Sequence, residues 1–62
     1  MKITVKIAGD RYDDLVTALR EASQQADLND LDKMRAVGFV EKQIVTKYGV
    51  HTVRYDLDTK SA

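Results

Sequence analysis

The chain has 62 residues, with ten Lys and Arg against ten Asp and Glu, one His, no Cys and no Pro. That length allows one domain at most, and one that buries only ~60% of the surface its unfolded chain exposes. Without Cys no disulfide can stiffen it, a lone His excludes an ordinary structural zinc site, and the balanced charge argues against life on a phosphate backbone, which calls for a basic excess.

The N-terminal MKITVKIAGD has no apolar h-region of a signal peptide. No apolar run approaches the ~20 residues of a membrane helix. A chain opening on Met is expected to be a complete small gene product, cytoplasmic and without membrane partners. Within the stretch itself, Lys2, Thr4 and Lys6 alternate with Ile3, Val5 and Ile7. This predicts a strand with one wet face, ended by Ala8-Gly9.

Asp10 reads as a helix N-cap, with Asp13 as its capping-box partner and Asp14 adding negative charge at the positive helix end. Tyr12, Leu15, Val16, Leu19, Ala22 and Ala26 recur at helical spacing. Arg11, Asp14, Thr17, Glu21 and Gln24 make the opposite face. Helix one is expected from Arg11 to Ala26.

Asp27-Leu28-Asn29 is a break of the length found between antiparallel helices, with Asn29 as the next cap. In residues 30–49, DLDKMRAVGFVEKQIVTKYG, Met34, Val37, Val40, Ile44 and Tyr48 share one narrow stripe at ~100° per residue. Helix two is expected from Asp30 to Tyr48, with Gly49 as its left-handed cap. Gly38 inside it costs ~1 kcal/mol relative to Ala. Phe39 then falls on the wet side, among Arg35, Lys42 and Gln43.

His51, Val53, Tyr55 and Leu57 alternate with Val50, Thr52, Arg54 and Asp56, which predicts a second strand over Val50 to Leu57. The expected fold is α+β, β-α-α-β. A helical hairpin packs on one face of a two-stranded antiparallel sheet, with Ile3, Val5, Ile7, Val53, Tyr55 and Leu57 inward. Residues 1–57 form the domain and 58–62 a frayed polar tail. So small a sheet is weak alone, and pairing its edges across a two-fold axis would extend it to four strands in a homodimer.

An alternative fold, β-α-β-β, ends in a C-terminal hairpin. In it Phe39 to Thr46 becomes a strand, and Thr46-Lys47-Tyr48-Gly49 a type I turn with a Gly bulge. That hairpin would group Phe39, Val45, Val53, Tyr55 and Leu57 on one face, with Glu41 and Gln43 among them. The helical register leaves fewer polar residues inside.

No residue set asks for catalysis. His51 could act as a general base only beside a substrate pocket or nucleophile, and neither Thr52 nor Tyr48 belongs to a motif. The Asp groups at 10, 13, 14 and at 27, 30, 32 sit at helix starts, where the backbone dipole accounts for them. They lack the Gly and distal Glu of a calcium loop. No catalytic, cofactor or metal site is expected.

The sharpest candidate is Phe39, an aromatic among Arg35, Lys42 and Gln43, the pattern of a small protein-binding hot spot. It suggests a non-enzymatic module that docks on a protein of unknown identity. Chains of this size are often accessory regulators or inhibitors, many from phages and mobile elements. The alternative is a small dimeric nucleic-acid-binding regulator. It would use Lys2, Lys6 and Arg54 on the outer sheet face, where no aromatic is expected to stack on bases.

Overall fold

The computed structural model describes residues 1–58; residues 59–62, most of the expected tail, lie outside the described residues. The order is β1 (Lys2–Lys6), α1 (Tyr12–Gln24), α2 (Leu28–Val37), β2 (Phe39–Thr46) and β3 (Gly49–Asp58). The fold is α+β, as expected, but the sheet has three antiparallel strands in the order β1-β3-β2. The expected pairing of first and last strands holds, with Val5 opposite Tyr55 and Ile3 opposite Leu57.

The expected helix from Asp30 to Tyr48 is not formed. It stops at Val37, because Gly38 adopts φ +93° and its N–H returns to the Met34 carbonyl. Only glycine takes this left-handed cap without strain. The Gly38 carbonyl then accepts the Leu57 N–H at 2.9 Å, which steers the chain into the sheet. The next eight residues, FVEKQIVT, are rich in β-branched side chains and run as β2. A tight turn with positive φ at Gly49 joins β2 to β3.

The alternative hairpin is therefore the one the chain adopts, but with a different face. Thr46 pairs with Gly49, Ile44 with His51, Lys42 with Val53 and Val40 with Tyr55. Even residues of β2 thus share a face with odd residues of β3. Val40 and Ile44 go inward, while Glu41 and Gln43 leave the core.

Both helix caps also differ from expectation. Arg11, not Asp10, is the N-cap of α1, and it makes no side-chain capping bond. Asp13 instead accepts from the Asp14 N–H and the Arg11 guanidinium, each at 3.0 Å. At α2 the cap is Asp27 rather than Asn29. Its Oδ1 accepts the Asn29 N–H, and Asp30 reaches back to the Asp27 N–H, both at 3.1 Å.

Ala18, Ala22, Ile44 and Val53 form the centre of the core, with Ile7 and Tyr55 packed against it. The face of α1 that meets the sheet is Asp14, Ala18 and Ala22, spaced four apart. Two alanines let the helix lie close on the strands. The expected stripe is rotated outward as a result, leaving Tyr12, Leu19 and Ala26 exposed. Both helices pack on β2 and β3, and neither packs on β1.

Candidate functional site

Two features stand out: a polar pair inside the domain and an apolar face that the fold leaves uncovered. The pair joins α1 to the middle strand. Asp14 is 5% exposed, and its Oδ2 lies 2.5 Å from His51 Nε2, which donates to it. The other ring nitrogen, Nδ1, is 3.4 Å from the Ala8 carbonyl oxygen. Burial by itself would raise the Asp14 carboxyl, but the Thr46 hydroxyl and the His51 imidazole outweigh it and hold the group below the usual carboxylate range.

Nε2 is engaged by Asp14 and Nδ1 faces the Ala8 carbonyl oxygen, so both ring nitrogens are turned toward the protein's own groups. A base needs a free nitrogen aimed at a substrate, so the geometry favours a brace between α1, the β1–α1 loop and β3. Gly9 completes it: a Cβ there would stand 2.8 Å from Leu15 Cδ2 and 3.2 Å from His51 Cε1. No pattern in the residues signals the pair, since Asp14 lies on the face expected to be wet.

The residues expected to bind a partner together are distributed over separate faces. Arg35 is exposed on α2. Lys42 points inward from β2, where its ammonium is 3.1 Å from both the Asp30 carboxylate and the Gln25 carbonyl oxygen. It ties the sheet to the α1–α2 junction. Burial would raise Asp30, but Lys42 and the Asp27 N–H draw it below its ordinary value. Gln43 lies on the outer face and donates to the Thr52 hydroxyl at 3.0 Å.

Phe39 also lies on the outer sheet face, opposite Asp56 in the ladder. The Arg54 guanidinium stacks 4.1 Å from its ring centroid. An aromatic thus joins Lys2, Lys6 and Arg54 after all. Yet Arg54 is 2.9 Å from Asp56 and 3.8 Å from Glu41, and Lys6 is 3.3 Å from Asp56. The Arg54 hydrogen bond, opposed by burial and aided by Lys6, holds Asp56 low. Arg54 and Lys6 are thus matched by acids on the same face.

The uncovered face results from where the helices sit. With α1 and α2 over β2 and β3, the inward side chains of β1 have no helix above them. Ile3 and Val5 are 41% and 46% exposed, and Met1 and Leu28 at the rim are 83% and 82% exposed. Together with Leu31, Met34 and Tyr55 they line an open groove of about 420 Å³ between β1 and the start of α2. Its two acids are already engaged, Asp27 at the cap and Asp30 with Lys42.

The inward orientation of Ile3 and Val5 was expected from their alternation. That nothing would cover them was not, because the offset of the helices depends on which strands they grip. Leu28, apolar between Asp27 and Asn29, was the one local signal. Among the described residues no cluster of three His, Cys, Asp or Glu could hold a metal ion, and no helix is long and apolar enough to cross a membrane. The chain matches no family model, no curated protein and no solved structure.

Proposed function

We propose that this protein is a small non-enzymatic binding module that docks its uncovered β1–α2 face onto another polypeptide, in the manner of an accessory regulator or inhibitor. The observation that carries this reading is the groove, where apolar side chains from a strand and a helix converge without a covering layer. Met1 and Leu28 are exposed over most of their surface and Ile3 and Val5 over nearly half, and contiguous apolar exposure of this kind marks interaction sites. Engaged acids at the rim leave apolar contact as the main recognition chemistry.

The test is capture by the immobilised full chain from a host lysate, run beside Val5→Lys and Phe39→Ala. Val5→Lys should lose the captured protein while keeping its circular dichroism, and Phe39→Ala should keep it. The reverse pattern moves the docking surface to the outer face. Equal capture by all three dismisses both surfaces.

A nucleic-acid reading draws support from Phe39 beside Lys2, Lys6 and Arg54. Against it, Asp56 and Glu41 neutralise that face locally, and phosphate binding depends on unmatched cations. A low-salt gel shift with single-stranded oligonucleotides decides it: a salt-sensitive complex lost in Phe39→Ala would establish it, and no complex would end it.

A further inference from the structure

We propose that the free edge of β1 takes up an extended segment of the partner polypeptide as a further strand of the sheet, a segment in which apolar residues alternate with polar and acidic ones. This rests on the reading of the β1–α2 face as a docking surface and gives the chemistry of what docks there.

The ladder fixes which main-chain groups face outward. The Leu57 N–H donates to the Gly38 carbonyl, so the main chain of Leu57 is turned toward β2. Bonded and non-bonded pairs alternate along antiparallel strands. Ile3 opposite Leu57 and Val5 opposite Tyr55 are therefore the non-bonded pairs of β1 and β3. Because β1 is an edge of the sheet, the N–H and C=O groups of Ile3 and Val5 point away from it, while Lys2, Thr4 and Lys6 bond to β3. Donors and acceptors at strand spacing are matched by another extended chain. A helix has spent its main-chain groups on itself and an acyl chain has none.

The same two residues turn their side chains to the groove. A strand laid along β1 sets its own residues opposite Ile3 and Val5 on that side, toward Leu28 and Leu31. Apolar residues fit those positions. The residues between and beside them fall on the outer face, next to Lys6, Thr4 and Lys2.

The other edge is guarded. By the same alternation Phe39, Glu41, Gln43 and Val45 turn their main chain outward from β2. Yet Lys42 points inward from that strand, its ammonium held by Asp30 and the Gln25 carbonyl. An inward charge on an edge strand is a device against strand pairing. Ile3 and Val5 bring no such charge to β1, and both helices lie over β2 and not over β1.

Charge favours a foreign segment over a second copy. Lys6 stands opposite Arg54 in the ladder, and Asp56 serves both, 3.3 Å from Lys6 and 2.9 Å from Arg54. An acid on the incoming strand opposite Lys6 adds a carboxylate to that row from its open side. Two copies joined antiparallel along β1, centred on Thr4, would instead set Lys2 of one opposite Lys6 of the other. That puts a third cation in the row, and like charges directly opposite destabilise a sheet.

The experiment titrates the isotope-labelled full chain with a terminally blocked peptide, Ser-Asp-Ile-Thr-Val-Glu-Ser, read by amide chemical shifts and hydrogen exchange. The Ile3 and Val5 amides should exchange quickly in the free chain and become protected as the peptide binds. The peptide N-methylated at its Ile and Val keeps every side chain but loses both donors, and should bind at least about tenfold more weakly. Its counterpart with Lys for Asp and Glu should weaken comparably. In the chain, Val5→Pro removes one outward N–H and none of the bonds to β3. It should keep its circular dichroism and lose the peptide, while Val45→Lys, exposed on β2, should bind as wild type does.

No protection of Ile3 and Val5 at millimolar peptide overturns the proposal, and so does equal binding by the N-methylated peptide. Equal binding by the lysine peptide overturns the acidic character assigned to the partner. Protection that rises with the concentration of the chain alone makes the occupant a second copy and overturns it likewise. Capture from lysate that still depends on Val5 when the peptide fails leaves the docking surface standing and removes only strand addition.

Discussion

The Asp14 carboxylate and the His51 imidazole meet at 2.5 Å across 37 residues of sequence. They join the first turn of α1 to the strand at the centre of the sheet. Because both side chains are largely buried, removing either one strands the other in the interior, which costs more than the pair itself contributes. Asp14→Ala and His51→Ala should each lower Tm by on the order of 10 °C. The double variant should fall short of the sum, the mark of a direct coupling. Additive losses in a thermal double-mutant cycle would mean that the two side chains act separately. Gly9→Ala should disturb the same brace from its other side, since the added methyl displaces Leu15 or the imidazole.

Acid should weaken the fold in a defined window. Asp14, Asp30 and Asp56 all lie below their ordinary values. Asp14 does so against burial through Thr46 and His51, Asp30 against burial through Lys42, and Asp56 through Arg54 and Lys6. A depressed folded value means that the ionised form favours folding. The contribution is fully present above the unfolded value of ~3.9 and is lost as pH falls through each folded value. Thermal melts should therefore show Tm declining steadily below about pH 4. A Tm that is flat between neutrality and about pH 3 would contradict all three assignments.

The break between α2 and β2 should hinge on one residue. Gly38 has φ +93° with open space where a Cβ would stand, so the cost of a side chain there is conformational and not steric crowding. Gly38→Ala should destabilise by ~1–2 kcal/mol in urea titration. Gly38→Asn should recover part of it, because Asn tolerates the left-handed region better. A neutral Gly38→Ala would mean that the helix can end elsewhere.

The same elements show how much of the fold is legible in the residues alone. β1, α1 and the inward set of β3 are readable because their alternation or spacing admits one period. Residues 37–46 are not, and the reason is arithmetic. Val40 and Ile44 are four apart, a spacing that satisfies a helix stripe and a strand face alike. The arbiters are Gly38, which a helical reading tolerates as an interior residue, and the run of β-branched side chains after it. The hairpin looks the worse choice as long as it places Glu41 and Gln43 beside Val53, but pairing Thr46 with Gly49 reverses the parity and sends both outward.

The sites are harder to read than the fold. A carboxylate in the first turn of a helix is explained well enough by the backbone dipole, so Asp14 gives no reason to look for His51. The Phe39 cluster dissolves with the helix that created it. Lys42 has the composition of a recognition residue and the position of an internal tie. The bare face of β1 is a property of how far the helices sit to one side, which no local pattern in the chain encodes.

The order β1-β3-β2 also governs when the sheet can exist. Its middle member is the last of the three along the chain, so Lys2 to Lys6 have no partner until Arg54 to Asp58 have been synthesised. Closing that distance makes the earliest strand among the latest to be secured. Loss of residues 49–58 would orphan both outer strands at once, so trimming there acts on the whole assembly rather than on one margin.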